Sequence, residues 1–528
     1  MADKPQIILF SHVANSRSIT GAEKLLLFFA KELSAFYDCT LAAPQEGKLT
    51  RLARAAGLRV ELIGIPLLYG IYTPYAGLEL DAKKLTQGKE YRELRQWLAE
   101  RRPDLIVTST CVHALPAIAA KSLGIPVIWK ISETITDNEY QAVSADFILR
   151  YSDEIIAISR TAASPFPQEF IDGGKIRLLP PSWNEAELMV EAWSKLRSER
   201  RRELRVKPGQ PLIGYISSFI IKEKGLEHFV KMAVGVAARY PEARFLVIGE
   251  PGEQTFYDRC VRKVKLEGLT SRFRFAGYED CLPAAYSAMD ALVVPSLVRE
   301  GFGMTALEGL ACGKPVIAYG SGGLREILEA AGREDWIAPT GEPEALAEAV
   351  CALLTQPNLA AQGMAARELA AASFGPAAYR ARLAELAAGW TQRYVRPPGA
   401  APAVMPVAEP GLTPADAAKA AAPDAAQAAA PEAAPGGTPE APPSADAAPP
   451  AASRRARKRR LQRTRLRRGR LRRSRVRARR RGRSARPAKR TRQAAARKRG
   501  AARKRAGVRK RKRAGGARRS RRRSRRSA

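Results

Sequence analysis

The sequence predicts an α/β protein made of two successive domains, each with a parallel sheet covered by helices. Short apolar, β-branched runs alternate with helical stretches across residues 5–390. This alternation favours parallel strands joined by crossover helices. The series starts again after a charged stretch and the turn Lys207-Pro208-Gly209, which predicts a second domain.

The first strand series should form a sheet with helices on both faces. Its strands are predicted at 7–10, 59–63, 105–108, 126–129 and 154–158, and its helices at 22–36, 91–102 and 115–123. Ligands of such sheets bind at the carboxyl ends of the strands. Polar residues follow several of these ends, including Ser11-His12, Ser109–His113 and Lys130–Glu133.

The second series predicts strands at 211–217, 245–249, 273–276, 291–295 and 316–319. Apolar residues at helical spacing predict helices at 226–240 and 304–311, the latter closed by Gly313 and Pro315. The charged stretch 191–205 is predicted to be an exposed helix that joins the two domains.

Charge divides the chain into two very unlike parts. Of its 90 Lys and Arg residues, 41 lie in 453–528, which holds no Asp or Glu, so the remaining 49 nearly balance all 52 acids. Residues 396–452 are rich in Ala and Pro and predict a disordered linker, because they can bury too little apolar surface. The tail 453–528 should bind polyanions without sequence preference.

Cysteine usage and hydropathy bear on the compartment. The six cysteines form no C-x-x-C pair, which favours reduced, packed thiols and a cytoplasmic location. No apolar run approaches the roughly 20 residues of a membrane-spanning helix, and residues 1–10 lack a secretory-signal pattern. Peripheral association with the inner face of a membrane through the basic tail stays open.

Two carboxylates flank one predicted strand-to-helix turn, Glu300 in the loop and Glu308 on the helix. The first N–H groups of a helix have no internal partners and favour an anion. Gly301 and Gly303 allow close backbone approach. A carboxylate at 308 suits a neighbouring diol such as a ribose, and one at 300 suits hydroxyls at the other end of the ligand. This pattern indicates a nucleotide-diphosphate sugar.

The stretch E-G-F-G-M-T-A-L-E-G-L-A-C-G-K-P-V-I at 300–317 resembles the E-x7-E signature of the family 4 retaining glycosyltransferases. The motifs F-A-G-Y at 275–278, P-S at 295–296 and S-G-G-L-R-E at 321–326 occur in the order typical of that family. The resemblance covers roughly residues 5–390 and implies the GT-B fold, with two Rossmann-like doubly wound domains facing a cleft. The simpler alternative is that these glycines only form tight turns.

The resemblance implies a donor site with Glu300 and Lys224 as catalytic residues. The implied donor-binding residues are Ser218, Lys224, Glu300, Gly301, Phe302, Gly303, Met304, Thr305 and Glu308. The family motif G-R-x4-K-G is incomplete here, because Ser218 and Phe219 replace its glycine and arginine. Lys222 or Arg299 are candidates for the missing charge; alternatively, Lys222 and Lys224 are ordinary surface lysines.

No D-x-D triplet occurs, so we expect no metal and no cofactor beyond the donor substrate, with a lysine and a helix N-terminus stabilising the leaving group. The implied acceptor-side residues are Gly21, His113, Lys130 and Glu133. Thr20 stands where the family usually has a glycine, and Lys130 where many relatives have a histidine. A lysine can bind an anionic group but is a poorer proton shuttle at neutral pH. Loop histidines such as His12 and His113 are equally compatible with surface or capping roles.

These inferences give an expected domain layout and three candidate functions. The layout is 1–190 acceptor side, 191–210 connection, 211–375 nucleotide-sugar domain, 376–395 helix crossing back, 396–452 linker and 453–528 basic tail. The first function is a retaining, metal-independent transferase that moves a sugar from a nucleotide-diphosphate sugar to a hydroxyl acceptor such as a glycan, a lipid-linked sugar or a cell-surface polysaccharide precursor. The alternatives are a polyanion-binding protein that uses its tail on nucleic acid, anionic lipid or polymer, and an epimerase or phosphorylase of the same fold.

Overall fold

The computed structural model describes residues 4–16 and 19–395. The predicted linker 396–452 and tail 453–528 lie outside these described residues. The first sheet has seven strands in the order β3-β2-β1-β4-β5-β6-β7, all paired in parallel. Its strands are β1 (Gln6–Phe10), β2 (Asp38–Ala43), β3 (Arg59–Leu62), β4 (Leu105–Ser109), β5 (Val127–Ile131), β6 (Glu154–Ala157) and β7 (Ile176–Leu178).

The second sheet has six strands in the order β10-β9-β8-β11-β12-β13, also paired in parallel. Its strands are β8 (Leu212–Ile220), β9 (Arg244–Pro251), β10 (Phe273–Gly277), β11 (Ala291–Val294), β12 (Val316–Tyr319) and β13 (Ile337–Ala338). The predicted α/β class with two parallel sheets is therefore confirmed. In both sheets the order reverses beside the first strand of the domain, which is where such folds open a ligand crevice.

Helices cover both faces of each sheet. Those before the second sheet are α1 (Gly21–Leu33), α2 (Lys48–Ala55), α3 (Leu78–Thr86), α4 (Lys89–Arg101), α5 (Ala114–Ser122), α6 (Gln141–Arg150), α7 (Arg160–Ala163), α8 (Gln168–Asp172), α9 (Glu185–Leu188) and α10 (Trp193–Glu203). Those after it begins are α11 (Leu226–Arg239), α12 (Gln254–Leu266), α13 (Leu282–Ala288), α14 (Met304–Ala311), α15 (Gly323–Ala330), α16 (Pro343–Thr355), α17 (Leu359–Phe374) and α18 (Pro376–Tyr394). Short 3₁₀ turns lie at Tyr69–Ile71, Val190–Ala192, Lys222–Lys224 and Glu334–Trp336.

The central strands are apolar on both sides because helices cover both of their faces. All five residues of β4 and of β5 are buried. Three strands have no counterpart among the predicted ones: β2, β7 and β13. The sequence of β2, Asp-Cys-Thr-Leu-Ala-Ala, carries little β-branched character, and the other two strands have only three and two residues.

Helix α18 packs on the first sheet although it follows the second in the chain. Leu383, Leu386 and Trp390 lie in one hydrophobic cluster with Ile7 and Leu9 of β1. The Trp390 indole donates to Glu154 Oε1 at 2.9 Å, and Tyr37 donates to the Ala387 carbonyl at 3.0 Å. Helix α18 therefore returns the chain from the second domain to the domain that holds β1.

Helix α10 joins the two halves and lies against the second. None of its residues is fully buried, as expected for an exposed helix. Arg197 and Arg201 nevertheless pair with Asp290, and Arg197 also donates to the Ser287 carbonyl at the end of α13. Among the described residues no helix is both long and apolar enough to cross a membrane. All six cysteines are free, and five of them are buried.

Candidate functional site

The site centres on the start of α14. Gly303 is the N-cap residue, with φ 113° and ψ 54°, a conformation that disfavours any residue with a Cβ. Its carbonyl accepts the first helical bonds, from Ala306 N at 2.9 Å and Leu307 N at 3.2 Å. The amide groups of Met304 and Thr305 therefore lie at the exposed end of the helix, where an anion is favoured.

Phe302 contributes only its backbone to this turn. Its side chain is 3% exposed and packs edge-on against Phe374, with ring centroids 5.4 Å apart. The aromatic ring is thus a core residue that fixes the turn from below. The preceding residue, Gly301, is needed for a different reason: a Cβ there would lie 2.7 Å from the Ser132 carbonyl oxygen of the first domain.

Glu300 forms an ion pair with Lys224, the other residue predicted to be catalytic. Lys224 Nζ donates to Glu300 Oε1 at 2.6 Å, and Ser296 Oγ donates to the same oxygen at 2.6 Å. The lysine side chain is 34% exposed and the glutamate 18% exposed, so both can reach a ligand. Leu297 N donates to the Glu223 carbonyl at 2.8 Å, which joins the Lys222–Lys224 turn to the segment that carries Glu300.

Glu308 lies one helical turn farther along α14. Its Oε2 accepts from the hydroxyl of the buried Tyr286 at 2.9 Å, and its Oε1 lies 3.8 Å from Lys24 Nζ of the first domain. Burial raises the pKa of Tyr286, and the Glu308 charge raises it further, so the phenol stays a donor at neutral pH. Nothing in the sequence pattern indicated Tyr286, because it lies 22 residues upstream on another helix.

The first domain also holds the donor turn through its side chains. Ser159 Oγ donates to the Gly301 carbonyl, and Thr134 Oγ1 donates to the Arg299 carbonyl at 3.1 Å. The turn that carries Glu300 is therefore fixed from both sides of the cleft. Its geometry depends on how the two halves of residues 4–395 are closed.

A carboxylate of the second domain caps a helix of the first. Glu326 on α15 accepts from Thr161 N at 2.7 Å, Thr161 Oγ1 at 2.6 Å and Arg160 N at 3.0 Å. A charged acceptor at a helix start is stabilised by the unpaired N–H groups and the helix dipole. We refer to Glu326 with Arg160 and Thr161 as the cross-cleft cap. It lies beside the donor turn, since the Gly323 amide donates to the Glu300 carbonyl at 2.9 Å.

The structure places no guanidinium where the family's arginine is expected. Ser218 and Phe219 are exposed at an irregularity of β8, and Phe219 is 45% exposed. Arg299, one candidate for the missing charge, donates to Ser164 Oγ at 3.0 Å instead. Lys222, the other candidate, is an exposed residue of its 3₁₀ turn.

The acceptor-side carboxylate Glu133 is held by backbone amides. Its Oε2 accepts from Cys111 N and from Ser132 N, each at 3.2 Å. Burial raises the pKa of Glu133, while these amide donors and Lys130 act in the opposite direction. Tyr72 was not predicted as a site residue; burial raises the pKa of its phenol, and the nearby Cys111, Glu133 and Glu300 act in the same direction.

Lys130 is brought close to Glu133 but is enclosed. The residue is 4% exposed, and its Nζ donates to Ser132 Oγ at 3.2 Å. Burial lowers the pKa of Lys130 to about 8. The gap beside it has a volume of about 10 Å³, room for no more than a water molecule. The Lys130 ammonium is thus too enclosed to contact an acceptor substrate directly in this structure.

His113 is buried as well, whereas Gly21 is at the surface. His113 is 1% exposed, its ring packs edge-on against Phe10, and its Nδ1 has no hydrogen-bond partner. Burial lowers the pKa of His113 to about 3, and His12 acts in the same direction. Gly21 is exposed at the start of α1, with no atom within 4 Å of a Cβ built there.

Glu23 organises the loop that leads into α1. It forms a capping box with Thr20, and its carboxylate also accepts from Asn15 N and Asn15 Nδ2 at 3.1 and 3.0 Å. A glutamate so fully paired is a structural residue of this turn. In the described part of the chain no three His, Cys, Asp or Glu residues lie close enough together to hold a metal ion.

Two family models match the chain in consecutive segments. Residues 20–182 match a glycosyl transferase 4-like domain, and residues 210–356 match the glycosyl transferases group 1. Together these segments cover more than half of the 528 residues.

Characterised relatives cover parts of the chain. The 2-deoxystreptamine N-acetyl-D-glucosaminyltransferase of Streptomyces fradiae is 30% identical over 39% of this chain and 48% of its own length, about half of the relative. The 2-deoxystreptamine glucosyltransferase of Streptomyces kanamyceticus is 28% identical over 49% and 69%. The lipopolysaccharide core mannosyltransferase LpsB of Rhizobium meliloti is 26% identical over 60% and 84%.

Solved structures share the fold at low identity. Anabaena HepE, crystallised with UDP, superposes with a TM-score of 0.59 at 19% identity, over 73% of this chain and 100% of HepE. A Rickettsia africae glycosyltransferase gives 0.59 at 16%, over 74% and 99%. Both the GT-B fold and the expected enzyme class are confirmed: with the two domain models matched in order, the chain belongs to the group 1 glycosyltransferases, in the family 4-like branch.

Proposed function

We propose that this glycosyltransferase transfers a sugar, with retention of configuration and without a metal, from a nucleotide-diphosphate sugar to a hydroxyl acceptor. The observation that carries the proposal is the position of two carboxylates around one helix start. Glu300 accepts from Lys224 Nζ at 2.6 Å, and Glu308 accepts from the Tyr286 hydroxyl at 2.9 Å. HepE has been solved with UDP and with UDP-glucose, which supports a donor of this class.

In this proposal each end of the donor has its own carboxylate. Glu308, with one oxygen fixed by Tyr286, accepts from the ribose hydroxyls through the other. The amides at Met304 and Thr305 face the diphosphate, and Glu300 orients the hydroxyls of the donor sugar. Ser218 and Gly301 to Gly303 contribute backbone to the same pocket.

Lys224 acts on the leaving group. As the bond between the sugar C1 and the phosphate oxygen breaks, its electron pair stays on the phosphate, and the ammonium and the α14 amides stabilise that charge. The acceptor oxygen forms the new bond to C1 on the same face, and its proton passes to the leaving phosphate. No protein carboxylate is then needed as a covalent nucleophile.

The acceptor is proposed to enter beside Gly21 and Tyr72, at the carboxyl ends of the first sheet. Relatives act on 2-deoxystreptamine and on the lipopolysaccharide core, so a glycan, a lipid-linked sugar or a polysaccharide precursor is a suitable class. His113, Lys130 and Glu133 support this surface from below. We place the reaction in the cytoplasm or at the inner face of a membrane.

The test is Glu308→Ala in full-length protein, with Glu348→Ala as a control, because Glu348 is an exposed carboxylate of α16 that pairs with Arg239. UDP-, GDP- and ADP-sugars are screened for binding and transfer. We expect Glu308→Ala to weaken binding of the donor that wild type selects by about tenfold or more, because a charge-assisted bond to ribose is lost. Unchanged donor affinity and full transfer would refute the assignment.

Two further measurements check the reaction type. NMR of the product gives the anomeric configuration, and inversion would contradict the proposal. Transfer is then measured after dialysis against EDTA, and we expect no loss. An epimerase or phosphorylase would instead convert the donor without any hydroxyl acceptor, which the same assay detects.

We propose further that residues 453–528 bind polyanions, because 41 of these 76 positions are Lys or Arg with no acid between them. A chain ending at residue 395 should lose binding to heparin, RNA and anionic vesicles and keep sugar transfer. Loss of transfer together with polyanion binding would favour the view that the folded part is only a carrier.

A further inference from the structure

The donor pocket has too little positive charge for a diphosphate. Among the described residues of the second domain, Lys224 is the cation that contacts Glu300, and that carboxylate already offsets its charge. The resemblance described above implies an arginine at position 219, where this chain has Phe219, which is exposed and uncharged. A second cation must come from elsewhere if two phosphate groups are to be neutralised.

The other nearby cations are engaged or directed elsewhere. Arg299 donates to Ser164, Arg325 lies 3.7 Å from Glu329, and Arg160 lies between Glu326 and Glu329. These residues line the side of the donor turn that faces the cross-cleft cap. None of them lies within 4 Å of Glu308.

Lys24 is placed differently. It lies in the first turns of α1, on the first domain, and its Nζ points across the cleft to Glu308 Oε1 at 3.8 Å. That separation is too long for a hydrogen bond, and the side chain is 45% exposed. Lys24 Nζ donates no hydrogen bond to any residue that the structure describes, and it lies about one helical turn from the start of α14.

We propose that Lys24 is the second cation of the donor site and binds the nucleotide diphosphate from across the cleft. This inference rests on the proposed function and adds a residue from the opposite domain to it. In the structure the ammonium faces Glu308. With donor bound, the ribose hydroxyls contact Glu308 and Lys24 contacts the adjacent phosphate. Lys24 thus supplies the charge that position 219 lacks.

A consequence is that donor affinity depends on closure. Lys24 belongs to the first domain and Lys224 to the second, so the two cations can contact one diphosphate only when the cleft is closed. A nucleoside without phosphates would gain nothing from Lys24. A nucleoside diphosphate would gain roughly the value of one charge-assisted hydrogen bond, about tenfold in affinity.

The experiment compares Lys24→Gln with Lys31→Gln, which removes an exposed lysine from the last turn of the same helix. Binding of UDP, UMP and uridine, and of the GDP and ADP series, is measured by calorimetry on full-length protein. We expect Lys24→Gln to weaken the preferred nucleoside diphosphate about tenfold and leave its nucleoside unchanged. Lys24→Arg should restore most of the loss, and Lys31→Gln should match wild type.

Two results would overturn the inference while the proposed function stands. One is wild-type diphosphate affinity in Lys24→Gln when Glu308→Ala has lost it. The other is an equal loss for nucleoside and diphosphate, which would mean that Lys24 only orients Glu308 toward the ribose. If wild type binds no nucleoside diphosphate, the proposed function fails as well.

Discussion

The two halves of this glycosyltransferase treat their polar residues in opposite ways. In the second domain Lys224, Glu300 and Glu308 are partly exposed at the cleft and each has a defined partner. In the first domain Lys130 and His113 are almost fully buried, and burial shifts the pKa of both. At the cleft the second domain thus exposes these charged side chains, whereas the first exposes Lys24 and keeps Lys130 and His113 covered.

This difference indicates that the two domains contribute to the site in different ways. In the proposed function the second domain binds the donor with charged side chains, whereas the first domain reaches the site through a few residues that cross the cleft. Ser159 and Thr134 hold the carbonyls of the donor turn, and Lys24 faces Glu308. Buried groups such as His113 then matter for stability more than for chemistry.

The largest effect is expected at Lys224, the partly exposed lysine of the second domain that pairs with Glu300. Lys224→Met should lower kcat by about 10²–10³, because one preorganised charge on the leaving group is worth that much. Steady-state kinetics with the preferred donor measure it. Lys222→Met, two residues away on the same turn, is the matched control and should stay near wild type.

Equal losses of kcat in Lys224→Met and Lys222→Met would show that the turn tolerates no substitution. The result would then contradict a specific role of Lys224 on the leaving group. A small effect at Lys224 with a large one at Lys222 would exchange their roles.

A smaller effect is expected at the cross-cleft cap. Glu326→Gln keeps the shape but removes the charge that accepts three hydrogen bonds from Arg160 and Thr161. We expect about a tenfold fall in kcat/KM and a more open particle by small-angle scattering, because closure weakens. Glu329 lies one turn along α15, and its carboxylate is 3.8 Å from Arg160, too far for a hydrogen bond. Glu329→Gln should therefore change neither kcat/KM nor the scattering. Identical scattering with unchanged kinetics would mean that the cap does not hold the cleft.

The smallest effect concerns a buried group of the first domain. The folded-state pKa of His113 is about 3, below the usual 6.5, so the unfolded chain binds its proton first as pH falls. The free energy of unfolding should therefore decrease from about pH 6.5 downward, by up to about 1.4 kcal/mol per pH unit from this residue. His113→Phe should flatten that slope in denaturant titrations between pH 4 and 7.

His228→Phe is the comparison for this measurement. His228 is only partly buried, and its ring nitrogen bonds Tyr319 OH at 2.8 Å. Removing it should alter the slope less. If His113→Phe and His228→Phe change the pH dependence of the free energy of unfolding equally, the deeper burial of His113 does not cause its effect on stability.

Local patterns made the second half predictable. Glu300 and Glu308 are eight residues apart on one turn and helix, so spacing alone places them at the same helix start. Ten of the thirteen strands were predicted from apolar, β-branched runs. Strand β2 was missed because Thr40 is the one β-branched residue in its Cys-Thr-Leu-Ala-Ala run, and β7 and β13 were missed because they are very short. The fold class needed only the alternation of elements, which β2 does not change.

The cross-cleft contacts could not be predicted in this way. Glu326 meets Thr161 across 165 residues, and Lys24 meets Glu308 between different domains. These pairs depend on how two independently folded sheets are set against each other, and no periodicity records that. Burial of His113 and Lys130 was missed because polar residues near the ends of strands look alike in sequence whether or not other parts of the fold cover them.

Helix α18 has a consequence for how the two halves are connected. The chain passes from the first sheet to the second through α10, and it returns to the first sheet in α18, where Trp390 donates to Glu154. Two covalent crossings therefore link the halves. We expect any opening of the cleft to follow a hinge defined by both crossings, since a single crossing would allow a freer swivel.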